Sequence, residues 1–297
     1  MKKMTKLFAL ALLAGAMISC STDDTASSTP NGKVAVQFTG GINVNTRAAG
    51  VAWAEGDKIG IFMTGTNQPL SADAIQEGVD NVCYQSNGSI GFSPVSGGKT
   101  IFYPIDGDVD FYSYYPHTTV SDYKVALDVT DQGKQEAIDF MYAKTPGCNK
   151  ANPQVFLKFF HKLSNLVLEI QPGPGLTQED LKKMTVTVKG QNTKATFNLA
   201  DGTISGEGNP TDIKMKTTVA GKLYEAILLP TEEASRVIEF DLNNGYDAPF
   251  VWTMPVKLEG GNRYHYTVVK LSRSAVDISG NIESWIKAGD DDEHIAQ

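Results

Sequence analysis

The sequence predicts an all-β chain folded as antiparallel β-sandwich, and three observations carry that expectation. Apolar residues recur with period two along most of the chain, the pattern of strands with one buried face. Turn signals stand between these runs, at Asp201-Gly202, Asn244-Gly245 and Gly260-Gly261-Asn262. Asn-Gly and Asp-Gly supply the positive φ values that tight type I′ hairpins need. Helical signal is thin. Thr177, with Asp180 and Leu181 behind it, predicts a short capped helix, and Ser71 to Glu77 predicts one turn inside a loop.

The strands follow in order. Val34, Val36 and Phe38 share one face of a first strand, and Ile59, Ile61 and Met63 share one face of the next. Phe111 to Tyr115, Val155 to Phe160 and Leu166 to Ile170 continue the alternation, then Met184 to Val188 and Thr193 to Leu199. Tyr224 to Leu229, Val237 to Leu242 and Tyr264 to Leu271 complete the series. A boundary is expected near His161-Lys162, between loops at Gly147 to Pro153 and Gln171 to Gly175. It predicts an N-terminal domain over 33–161 and a C-terminal domain over 162–297 that ends in the acidic run Asp290 to Glu293.

The first residues read as an export signal. Lys2, Lys3 and Lys6 precede an apolar run from Leu7 to Ile18, followed by Ser19-Cys20. That run of 12 residues is shorter than the ~20 that a membrane-spanning helix needs. Cys20 after a small residue is similar to a bacterial lipobox, in which the cysteine is lipidated and becomes residue one. The alternative is ordinary signal cleavage beside an incidental cysteine. Residues 1–19 are then removed, and 20–32 form a polar linker with no apolar face. Without the three lysines, 23 basic residues face 34 acidic ones, a net charge of −11. Such a balance argues against nucleic acid or an anionic lipid surface as partner, and leaves the lipid anchor as the membrane contact. Of the other cysteines, Cys83 and Cys148 either pair in an oxidising envelope or remain two small buried thiols. Their spacing leaves both open.

Catalytic and metal patterns are weak. His117, His161, His265 and His294 are scattered, with no i, i+4 pair. Gly98-Lys99-Thr100 lacks the upstream glycine of a phosphate loop, where Ser93 stands. Asp106, Asp108 and Asp110 have the opening spacing of a calcium loop, but Phe111 and His117 stand where its glycine and glutamate belong. An enzyme is not expected, and no cofactor. The aromatic cluster Phe111 to Pro116 reads mainly as core. It also leaves a second reading, a monomeric surface lipoprotein that binds glycans through Tyr112, Tyr114 or Trp252.

Several islands fall in a recognisable order. Thr46-Arg47-Ala48 is followed by Trp53 and by Gly56 to Phe62. Next come Tyr114-Tyr115-Pro116, Asp139 to Ala143 and Phe159 to Ser164, and then an Ile282, Trp285 pair. Together they resemble the fimbrillin family of Bacteroidetes, subunits of type V pili. The resemblance implies two transthyretin-like β-sandwich domains in tandem and a lipoprotein anchored in the outer membrane at the cell surface or built into a fimbrium. It implies that a protease cuts after Arg47, making Ala48 the new N-terminus and freeing the strand of Val34, Val36 and Phe38. A strand from a neighbouring pilus subunit then fills the vacated place. Val276, Ile278 and Ile282 are the candidate donor or pairing residues. Only 12 residues follow Trp285, which argues against a stalk role and leaves room for an anchor, tip or accessory one; a host or bacterial surface receptor is a further expected partner. Ser21 to Asp24 resembles the acidic surface-export signal of such lipoproteins, and Asp24-Thr25-Ala26 their O-glycosylation motif.

Overall fold

The computed structural model describes residues 32–42, 53–272 and 275–285. The export signal, most of the linker, Cys20, Arg47, Ala48, His294 and the acidic tail lie outside the described residues.

In chain order the strands are β1 (Gln37–Ile42), β2 (Glu55–Gly65), β3 (Val82–Asn87), β4 (Gly91–Pro94), β5 (Val109–Tyr115) and β6 (Lys124–Asp128). They continue as β7 (Met141–Cys148), β8 (Gln154–His161), β9 (Ser164–Pro172), β10 (Thr185–Asn198), β11 (Thr203–Lys214) and β12 (Lys216–Val219). The last are β13 (Leu223–Leu228), β14 (Arg236–Asp241), β15 (Phe250–Met254), β16 (Asn262–Ser272) and β17 (Ala275–Ser284). Helix is limited, among the described residues, to one 3₁₀ turn at Ala72–Ala74 and one α-turn, α1 (Gln135–Ile138). The all-β expectation holds. The segment after Thr177 stays a turn rather than a helix. Its capping bonds form, with Thr177 N donating to Asp180 Oδ2 at 2.7 Å, but the chain turns away before a ladder of helical bonds can grow.

Three sheets result. Seven strands close into a barrel in the order β1-β4-β3-β2-β5-β7-β8. A second sheet runs β11-β10-β14-β15 with β6 attached to β10, and a third runs β12-β13-β9-β16-β17. Antiparallel pairing dominates, as alternation predicts; β1 with β8 and β9 with β16 are parallel. All barrel strands precede Ser164, yet β6, from the same half, pairs with β10 from Lys124↔Asn198 to Asp128↔Lys194. The two runs predicted at Met184 to Val188 and Thr193 to Leu199 are one strand, β10, interrupted at its pairing with β11 between Val188 and Gln191. At the β10–β11 hairpin Gly202 takes φ +76° and Asp201 does not share a positive φ, so the turn there is not the expected type I′.

Two apolar cores fill these layers. β8 alternates strictly between exposed and buried residues, the sign of a wall with one face in water. β5 is buried at every position. Its Phe111 and Tyr115 enter the barrel core, while Tyr112 and Tyr114 enter the second core with Phe62, Phe140 and Phe197. Polar links cross the same junction. Tyr142 Oη donates to the Leu199 carbonyl at 2.8 Å. Buried Gln132 donates to the Ile227 carbonyl and accepts from its N–H, both at 2.8 Å.

Gly60 tests this double-sided packing. A Cβ there would overlap the Tyr114 ring and stand 2.6 Å from Asn81 Oδ1. Gly60→Ala is expected to lower stability by about 1–3 kcal/mol, the usual cost of overfilling a packed core. Urea unfolding measures it, and an unchanged midpoint would show that Tyr114 gives way freely.

Candidate functional site: the seat of the first strand

The predicted first strand is shifted toward its end. Val34 to Val36 form only a bridge: Tyr103 N donates to Val34 O at 2.9 Å, Val36 N donates to Ile101 O at 3.0 Å, and Ala35 faces Phe102. The regular strand begins at Gln37 and continues four residues beyond Phe38, to Ile42. It lies between β8, parallel, and β4, antiparallel, and so completes the barrel. Val36, Phe38 and Ile42 are buried in the barrel core. The Phe38 ring meets Tyr84 and Phe111 edge-on, at centroid distances of 5.3 and 5.1 Å.

Two glycines fix how close this strand approaches its neighbours. A Cβ on Gly40 would stand 3.0 Å from the Phe92 ring, 3.1 Å from the Leu157 carbonyl oxygen and 3.3 Å from the Phe159 ring. On the other face, a Cβ on Gly41 would stand 3.0 Å from the ring of Phe156. The Gly40 carbonyl accepts a 3.0 Å bond from Trp53 Nε1. Trp53 is itself buried, with its ring 5.0–5.3 Å from those of Phe159, Phe92 and Tyr115. An adjacent Gly pair within an alternating run is the sequence signal of close backbone approach, and the reading by apolar periodicity passed over it.

Ile42 and Trp53 also line a cleft of about 220 Å³ with Asp57, Tyr115, Asp139 and Trp285. Burial first, and then the Asp57 carboxylate, raise the Tyr115 hydroxyl above its ordinary pKa. Trp285 stacks on His161, the last residue of β8, with centroids 4.2 Å apart and planes 13° apart. His161 Nδ1 lies 2.7 Å from Asp139 Oδ1. The predicted junction histidine thus fastens the residue after β17 to the strand beside β1.

The other candidate residues fall elsewhere. Val276, Ile278 and Ile282 lie on β17, paired with Leu271, Val269 and Tyr264 of β16. β17 ends its sheet, and Ile282 is 55% exposed. The glycan reading is overturned for Tyr112 and Tyr114. Both are 0% exposed, their hydroxyls spent on Gln68 O at 3.1 Å and on Asn81 Oδ1 and Thr118 O at 2.8 Å. Trp252 is half-buried, edge-on to Tyr266 at 4.9 Å. A sugar cannot stack on rings already enclosed by protein. Cys83 and Cys148 are half-buried free thiols rather than a disulfide. Burial, and then the charges of Asp110 and Asp108, push the Cys148 thiol up to about 11. Asp110, the third carboxylate of the calcium-like spacing, accepts from Asn67 N at 3.2 Å and Gly147 N at 2.9 Å. Lys99 donates to the carbonyls of Glu77 and Gly78 at 2.6 and 2.9 Å.

Comparison with known proteins assigns the family. A fimbrillin-like family profile matches residues 46–285. The chain belongs to the fimbrillin-like family. The protein of Bacteroides uniformis named "Putative fimbrium subunit Fim1C" is 33% identical over 293 residues, 93% of each chain. The crystal structure of a "putative cell adhesion protein" from the same species is 31% identical with a TM-score of 0.73, covering 86% of this chain and 99% of its own. One from Bacteroides ovatus, with the same description, is 26% identical with a TM-score of 0.67, covering 86% and 98%.

Two measurements check this site. Phe38→Ala is expected to cost about 3–5 kcal/mol, whereas Phe156→Ala, on the exposed face of β8, costs under ~1 kcal/mol. Equal losses in urea unfolding would mean that β1 does not seal the core. Because burial and the nearby carboxylates raise its pKa, Cys148 is far less ionised at pH 8 than an ordinary thiol, so alkylation of the folded chain is expected to run far slower than in denaturant. Matching rates would contradict its burial.

Proposed function

We propose that this fimbrillin-like chain is a structural or accessory subunit of a surface type V pilus. It is exported as a lipoprotein anchored at Cys20 and built as two domains, 33–161 and 162–297. Proteolysis after Arg47 releases the first strand, and a strand of a neighbouring subunit takes its place. The observation that carries this reading is the position of β1. It is the closing strand of a barrel, and all of it lies upstream of Arg47. One cut therefore separates the tether and the closing strand from everything that follows. The family match begins at Thr46, so β1 lies outside the region shared with the family profile.

The physics supports exchange. Loss of β1 leaves β4 and β8 with unpaired backbone groups, a template for another strand, and uncovers the apolar side of Tyr84, Phe111 and Phe159. A donated strand restores both ladder and core, which is β-augmentation. Assembly serves adhesion through contacts between subunits and a surface receptor.

Limited trypsin treatment of the folded chain is expected to cut first after Arg47, leaving Ala48 as the new N-terminus by mass and Edman analysis. Arg47→Ala is expected to abolish that cut and fibre formation by electron microscopy. Fibres of ordinary length from the variant would sink the processing step.

A further inference from the structure

The end of β8 carries a cation that the fold leaves without a counter-ion. The alternation of β8 places Lys158 and Phe160 outward, and Phe160 is 42% exposed. Lys158 lies over the Phe160 ring, 5.3 Å from its centroid. Lys162, two residues on, follows the same side. Its ammonium stands 5.4 Å from the ring centroid of Tyr142, the cross-strand partner of Phe160, and 5.9 Å from that of Phe197. Among the described residues, Lys162 Nζ makes no ion pair and no hydrogen bond, so ring faces are its partners. Lys162 is half-buried, and burial holds its pKa below the usual lysine range. Burying a charge is costly unless it is paired or hydrogen-bonded, and ring faces offset that cost only in part.

Phe160 and Lys162 form one wall of a cleft of about 560 Å³, with Ile204, Pro230 and Trp285 as further apolar walls. Gly202 and Gly261, both at positive φ, keep its rim free of side chains. No aspartate or glutamate is among the described residues that line it, in a chain whose formal net charge is −8. Asp201 and Glu259 border lining residues in sequence, but they are engaged by Thr203 and Asn262. None of the residues lining the cleft belongs to β1.

We propose that this cleft binds an organic monoanion, its carboxylate on Lys162 and its flat apolar body against Phe160, Ile204 and Pro230. An ammonium meets a carboxylate through a charge-assisted hydrogen bond. The space exceeds what a simple inorganic anion fills and lies in the range of small-molecule sites. The exposed phenyl ring offers a stacking face. An acidic peptide fits less well, because the backbone N–H groups of Lys162, Gly202, Gly261 and Asn262 are all bonded within the chain. The Asn262 amide nitrogen already donates to Glu259, which leaves few polar side chains for the hydroxyls of a sugar acid.

Isothermal titration calorimetry of the full chain tests the site with four probes: naphthoate, its uncharged isostere naphthamide, glucuronate and a tetraglutamate peptide. Naphthoate is expected to bind, and naphthamide at least about tenfold more weakly, as loss of a charge-assisted bond dictates. Two variants follow, with folding checked by circular dichroism. Lys162→Met keeps an apolar stem over Tyr142 and removes the charge; Phe160→Ala removes the stacking face at an exposed position. Each is expected to weaken naphthoate binding about tenfold or more. No binding of naphthoate overturns the proposal. Equal binding of naphthoate and naphthamide overturns the role of the Lys162 charge. Glucuronate or tetraglutamate binding as tightly as naphthoate overturns the apolar body. Naphthoate binding unchanged in the folded variants overturns the location; should Lys162→Met fail to fold, unchanged binding by Phe160→Ala overturns it alone.

Discussion

Closure of the seven-stranded barrel is the constraint on which the rest of the structure depends. An open sheet of this composition would present two rows of unpaired N–H and C=O groups and a face of large aromatic rings. β1 removes both at once by lying parallel to β8 and antiparallel to β4. Its inward residues then meet Tyr84 and Phe111, and its Gly40 carbonyl satisfies the Trp53 indole. The strand that closes the barrel is also the first of the described strands. It can leave and be replaced without any part of the chain threading through another, which is not true of a closing strand taken from mid-chain.

The far wall of the barrel explains why such a replacement need not unfold the molecule. Three strands separate β1 from β5 in one direction and two in the other. β2 and β5 carry Phe62, Tyr112 and Tyr114 on their outer faces, and these rings lie in the second core. β6 and Gln132 fasten the same region to β10 and β13. The wall opposite the seat is thus held by contacts that do not involve β1, whereas β8, beside the seat, shows its outer face to solvent. Stability is unevenly distributed in the way a removable strand requires.

Where one face of a strand meets water, the sequence shows it plainly. The alternation of Val155 to Phe160 maps onto β8 residue by residue, and Val36 and Phe38 mark the inward face of β1. Where both faces are covered, the signal fades. Phe111 to Tyr115 alternate between two cores, so periodicity alone could not tell buried Tyr112 and Tyr114 from exposed rings. β11 escaped notice because its side chains are largely exposed and its apolar residues few, and β15 because it is short and its apolar residues Phe250-Val251-Trp252 run consecutively rather than alternating. The attachment of β6 to β10 is a long-range pairing that no local pattern encodes. Resemblance located Arg47 in the chain, but it lies outside the described residues. The close approach of β1 to its neighbours is written in Gly40-Gly41, a pair that apolar counting treats as a gap.

β8 touches both β1 and the end of β17. Its backbone is the parallel partner of β1 from Gln154 to Phe159. Its last residue, His161, carries the stacked ring of Trp285 immediately after β17. Ile42 at the end of β1 and Trp285 face the same cleft. The backbone N–H of Trp285 donates to Gly261 O at 2.8 Å, so β17 is held at this end by a ring stack and a hydrogen bond in addition to its one ladder with β16. Freeing β17 means breaking that ladder and withdrawing Trp285 from His161. An edge position alone would leave the strand free to pair with any exposed template. The stack of Trp285 on His161 instead ties its end to the barrel of its own chain.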